Sequence, residues 1–297
     1  MNNLYRLRIA GFAVAMLVLL GSPAFSQVDL AGIYNPLMHE DAAERAPGPD
    51  VGDYLGLPIN DASRMRGETW NASILTLSEH TCKPHPSTYG ARGVGALRIR
   101  YSWDPTTEAL VKIDAQIQWM EQYREIWMDG RPHPPEYAAH TWQGFSTGRF
   151  EGNVLVVDTS HLKAGWIRRN GIALSDRAIM QERYFRHGDY ITHTSVITDP
   201  VYFTEPIVRT NGFQLNRNAA AIQPYPCLPA VEVVHARGDV PNFLPGTSGY
   251  VLEFAKKHNL PVEAVRGGAE TSYPEFMKQF GPRPVFVAPR PGTGGGQ

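Results

Sequence analysis

Cysteine is scarce in this chain: Cys82 and Cys227 are the only two in 297 residues. That excludes a disulfide-dense mini-scaffold and any four-thiolate zinc centre. Positive charge is not in excess either. With 28 basic and 29 acidic residues the formal charge is −1, which gives no electrostatic drive toward nucleic acid or an anionic membrane surface. After position 20 no apolar run approaches the roughly 20 residues of a bilayer-crossing helix. No repeat at fixed period and no cofactor-binding motif is present. What the chain does have is 42% hydrophobic and 10% aromatic residues, enough for a real core and too much for a disordered polymer.

The first 26 residues are a world apart from the rest. Arg6 and Arg8 precede an apolar or small run over 9–20, Pro23 breaks it, and Ala24-Phe25-Ser26 places small residues where a signal peptidase reads. The pattern predicts a secretory signal peptide cleaved after Ser26 and a periplasmic or secreted protein starting at Gln27. No acid lies in 1–26, so cleavage removes two basic charges and leaves the mature protein mildly acidic. No membrane insertion is expected after cleavage. In an oxidising compartment Cys82 and Cys227 have one intramolecular pairing, and closing so long a loop is worth about 4–5 kcal/mol in the chain-entropy model. Free thiols, or a metal held by His80, Cys82, His85 or His133, are the alternatives. Pro84 and Pro86 stiffen that loop with or without a metal, and the leading expectation is no metal.

Segment 27–95 reads as an extended lead-in, a short helix capped by Asn60 or Asp61, and the Cys82 loop. The helix is expected because Ala62, Met65, Thr69 and Trp70 recur at near-helical spacing. A core of strands follows over 96–245. Segments 96–103, 109–119 and 122–128 are rich in aromatic and β-branched residues. Two hairpins stand out, 148–158 around Glu151-Gly152-Asn153 and 176–199 around His187-Gly188-Asp189, each with glycine where positive φ is needed. Both faces of the second hairpin mix polar and apolar residues, as in a barrel with a partly polar interior. Helices return over 246–280, capped by Thr247 or Ser248 and by Ser272, before a Pro/Gly-rich tail at 281–297. The expected fold is mainly β: an antiparallel meander, or calycin-like barrel, with helical decorations at both ends.

Three places carry candidate chemistry. In 127–140, Asp129-Gly130 turns the chain, Arg131 offers a planar fork for an anion, and prolines fix the direction of His133. Glu182, mid-strand beside Arg183, is either an acid/base group with a raised pKa or half of an internal ion pair. Gly144-Phe145-Ser146-Thr147-Gly148 matches the nucleophile elbow, but a hairpin follows instead of a helix, so a bend at a strand entrance is expected. Trp166 to Gly171 places Arg168 and Arg169 at a hairpin or loop tip, read as a solvated charged turn.

The segment from Arg124 to Glu205 resembles a widespread family of secreted, uncharacterised bacterial proteins. The resemblance rests on Met128-Asp129-Gly130-Arg131-Pro132-His133-Pro134, on the stretch from Gly144 to Thr159 (GFSTGRFEGNVLVVDT), and on Ser175-Asp176, Glu182-Arg183 and Asp199-Pro200-Val201-Tyr202. Many members have His where this chain has Phe145, and Trp-Glu-Gly-Asp where it has Phe150-Glu-Gly-Asn. The resemblance implies secretion and a shared β scaffold, and it implies no reaction. The functional expectation is a barrel binding a small, partly apolar molecule, with Arg131, Asp129, Tyr184 and Trp142 as ligand contacts. The alternative is an acid/base enzyme (lyase, isomerase or hydrolase) using His133 and Glu182, with His140 as a second base.

Overall fold

The computed structural model describes residues 28–38, 49–54, 56–71, 85–168 (the side chain of Glu121 excepted), 170–225, 236 and 242–281. The signal segment, His80, Cys82 and Cys227 with their expected disulfide, Arg169 and residues 282–297 lie outside the described residues.

Nine strands close into one barrel: β1 (Gly32–Leu37), β2 (Leu97–Trp103), β3 (Leu110–Ile117), β4 (Gln122–Trp127), β5 (Phe145–Glu151), β6 (Val154–Ser160), β9 (Ile179–His187), β10 (Tyr190–Thr198) and β11 (Ile207–Leu215). The short pair β7 (Gly165–Trp166) and β8 (Ala173–Leu174) stands apart as its own two-stranded sheet. Around the barrel the order is β1-β11-β10-β9-β6-β5-β4-β3-β2, closing on β1. The two expected hairpins form as β5–β6 and β9–β10. Gly152 and Gly188 both have φ +62°, at the first central position that a type II′ turn reserves for glycine.

The meander has one exception. β4 and β5 run parallel, with Ile126 opposite Ser146 and Trp127 opposite Thr147. A parallel pair cannot be joined by a hairpin, so segment 128–144 travels back along the outside of the barrel. The lead-in also does more than lead in. β1 lies within it and pairs with β2 on one side and β11 on the other.

Strand alternation decides what the barrel encloses. Tyr34, Leu97, Ile99, Ile113, Ala115, Ile126, Leu155, Val157, Tyr184, Ile191 and Phe213 form one buried cluster, to which Leu30 adds from the lead-in. A second cluster joins Met180, Ile197 and Ile207 to Tyr54, Ile59, Ala91, Leu162, Phe203 and the β7–β8 unit. The tip of that unit is no solvated turn. Ile167, Ile172, Asn170 and Arg168 are all buried, and the Asn170 amide donates to the Asp53 carbonyl at 2.9 Å.

Helix α1 (Asp61–Glu68) is capped by Asn60, whose side chain accepts from Ser63 N at 3.0 Å. The expected short helix forms, with Ser63, Gly67 and Glu68 buried and Met65 55% exposed. α2 (Ser87–Gly90) lies against the barrel. At the C-terminal end a 3-10 turn (Gly249–Leu252) runs into α3 (Glu253–His258), then α4 (Val262–Arg266) and α5 (Pro274–Met277). Ser248 and Tyr273, rather than Thr247 and Ser272, occupy the cap positions, and neither makes a side-chain cap.

Candidate functional site

Glu182 points into the barrel, because it shares the inward face of β9 with Met180 and Tyr184. Arg124 reaches it from β4, across the two intervening strands, with a forked pair of bonds at 2.7 and 3.0 Å. The Tyr184 hydroxyl donates to Glu182 Oε1 at 2.9 Å and accepts from Arg124 at 3.1 Å. His193 on β10 donates from Nε2 to the same oxygen at 3.0 Å, and its ring stacks on Tyr184 with centroids 4.4 Å apart. Burial works to raise the Glu182 carboxyl, but the Arg124 charge and the His193 bond outweigh it and hold the pKa at about 2. Burial and the Glu182 charge push the Tyr184 phenol well above its ordinary range.

This arrangement holds shape. A carboxylate offers about four lone-pair sites, and four donor bonds meet the two oxygens of Glu182. The ion-pair reading of Glu182 therefore describes its surroundings, with Arg124 as the partner rather than the neighbouring Arg183. The adjoining cavity measures about 30 Å³ and is walled by Gly90, Ala91, Gln122 and Phe213 among others, far below the roughly 300 Å³ of the smallest usual ligand site. Both ends are stoppered. Leu30 N donates to the Tyr101 hydroxyl at 2.6 Å and Tyr34 returns a bond to Leu30 O at 3.0 Å. At the other end the buried Asn211 amide donates to Ala91 O, just after α2.

His133 stands on the opposite face of the wall. Its Nε2 meets Thr147 Oγ1 at 2.9 Å and its Nδ1 meets Ser160 Oγ at 2.6 Å, both on strands whose inward residues are Ser146, Val157 and Thr159. The structure thus brings Glu182 and Tyr184 together and separates them from His133; no His133–Glu182 pair forms. His140 bonds Leu162 O at 2.9 Å through Nδ1. Arg131 is clamped to Asp129 at 2.9 and 2.5 Å and lies 3.6 Å over the Trp127 ring, and that bond holds the Asp129 carboxyl below its usual range. Trp142 sits at the far end of the same crossover, where its carbonyl accepts from Ser87 N at 3.2 Å. The four expected ligand contacts do not converge. Ser146 is fully buried and shares a hydrogen bond with Thr159 at 2.8 Å. Gly144 makes the bend before it, at φ +72°.

Two groupings were not singled out in the sequence. The first is a chain of bonds on the outer wall. His161 Nε2 donates to the Pro135 carbonyl at 3.0 Å, so in a neutral ring its Nδ1 accepts from Ser160 Oγ at 2.7 Å. Ser160 has one proton to give, so it accepts from His133 Nδ1, leaving His133 Nε2 to accept from Thr147. Burial lowers the His133 pKa, which favours this neutral form. The second is an open groove of about 700 Å³ where β1 stops pairing with β2 beyond Ile99. Ile33, Tyr101 and Trp103 supply its apolar surface, with Arg98, Arg100 and Asp29 beside them. Arg98 bonds Gln116. Arg100 is exposed and makes no ion pair or hydrogen bond among the described residues.

Among the described residues no group of three metal-ligating side chains comes together. Comparison with protein-family models, with curated proteins and with solved structures finds no match to this chain.

Proposed function

We propose that this barrel is a periplasmic or secreted binding domain that holds a small, partly apolar anion in the open groove beside β2. One observation carries the reading: an aromatic and aliphatic groove of about 700 Å³ has an arginine, Arg100, with its charge uncommitted. That size falls among ligand sites of roughly 300–1,000 Å³, and Arg98 and Arg100 against the one carboxylate of Asp29 leave the lining net positive. The sealed interior moves the site from the barrel's axis to its rim. The N-terminal signal pattern and the resemblance to a secreted family support the location. The outer wall supports a water-facing barrel, since Lys112, Asp114, Glu125 and Arg149 lie on it in ion pairs, where a lipid-facing wall carries an apolar band. Titration of intrinsic fluorescence with 1-naphthoate is expected to saturate, to weaken with the uncharged naphthyl alcohol, and to vanish in Trp103→Ala with Arg100→Ala. Equal responses from acid and alcohol, or no saturable response, would overturn the reading.

A second reading, acid/base chemistry, rests on the His133–Ser160–His161 chain of bonds. It gives Ser160 a hydroxyl whose proton is already directed at an imidazole, the start of nucleophilic attack on an ester. A fluorophosphonate probe should then label Ser160, and His161→Gln should abolish the labelling. Unlabelled wild-type protein would leave the relay a purely architectural tie.

A further inference from the structure

Away from both the groove and the barrel interior, a pocket of about 450 Å³ opens where α1 ends and α3 begins. Its walls are aromatic. Trp70, only 5% exposed, is fixed edge-on to Trp166 at 5.1 Å, so one wall belongs to the core. Phe243 is tied in place by its backbone N–H to Thr69 O at 3.1 Å. Tyr250 meets it at 5.8 Å with the rings 62° apart, giving two steeply inclined faces. Phe254 of α3 adds a fourth ring.

The charges at this pocket are not symmetric. Lys257 is ion-paired with Asp50 at 3.1 Å, so these two cancel. Glu253, exposed at the rim, has no hydrogen bond or ion pair among the described residues. The pocket therefore joins four aromatic rings to one carboxylate that no described cation neutralises. Ring faces attract a cation held within about 6 Å, most strongly one with weak hydration and a bulky apolar coat.

We propose that this pocket binds a small organic cation, a quaternary or methylated ammonium with an apolar body. An ordinary ammonium is a poorer fit, because it would surrender hydrogen bonds to water that rings do not replace. A neutral molecule of the same shape would gain the apolar contact and lose the rest. The site is independent of the groove beside β2, which favours the opposite charge.

Calorimetric titration of the full mature protein with choline and with its uncharged isostere 3,3-dimethylbutan-1-ol tests this. Choline is expected to bind saturably, and the alcohol at least about tenfold more weakly. Tyr250→Ala and Glu253→Gln, both at exposed positions, should each weaken choline by roughly three- to thirtyfold, with unchanged circular dichroism. Arg100→Ala should leave choline binding untouched. Equal affinity for choline and the alcohol would overturn the assignment of charge. No saturable heat from choline or tetramethylammonium would overturn the site itself.

Discussion

Arg124 and Arg100 lie on nearby strands of one barrel and have opposite fates. Arg124 faces inward, is 7% exposed, and gives its fork to a carboxylate that takes three donor bonds on Oε1 and one on Oε2. Arg100 faces outward at the end of a groove and is committed to nothing described. Their residue type is the same; the parity of position along a strand decides between a structural tie and a candidate ligand contact. The interior cluster carries more polar chemistry than the groove, but its charges are spent on one another, whereas Arg100 of the groove has no ion pair among the described residues.

The comparison breaks most visibly on stability. Arg124→Met would leave Glu182 buried without its guanidinium partner, and should cost about 3–5 kcal/mol in urea unfolding. Replacing Glu182 by Leu in that background should recover most of the loss. Arg100→Met should stay within about 0.5 kcal/mol. Equal losses at the two arginines would erase the distinction. An acid series sharpens it next. Because the Glu182 pKa is depressed in the folded state, its contribution is fully present above the ordinary carboxylate value of 4.5 and is lost as pH falls toward about 2. Glu182→Gln should flatten that part of the stability profile, and an unchanged profile would show that other carboxylates set it. A smaller loss than at Arg124 is expected at the rim. Tyr101→Phe removes the hydroxyl that receives Leu30 N and should cost about 1 kcal/mol, read as faster amide exchange at Leu30. Unchanged exchange there would mean that the stopper is held by packing alone.

How much of this was legible depended on how far each contact reaches along the chain. The β5–β6 and β9–β10 hairpins are local statements, made by Gly152 and Gly188 between alternating flanks. The polar interior was also legible, as mixed polarity on both faces of β9 and β10. Which face turned inward was not, since Glu182 and Arg183 are neighbours of opposite orientation and only the cross-barrel Arg124 fork chooses between them. β1 escaped notice because its sequence, GIYNPL, contains Pro36 amid a Pro/Gly-rich stretch; its partners are supplied by β2 and β11. Segment 127–140 was legible as a proline-rich loop, but its path over Thr147 and Ser160 follows from the parallel β4–β5 junction, which no local pattern announces. Ser160 and His161 become neighbours of His133 only through that path.

Closure by β1 also has a kinetic consequence. Tyr34 must find Leu215 before the wall has no free margin, and the chain between them holds almost the whole barrel. Until then two strand margins, one on β2 and one on β11, stand open to any other extended chain. Long-range pairing of this kind makes for slow folding. The meeting of the barrel's two margins should therefore be a slow step, and crowded refolding should fail there first, by strands pairing between molecules.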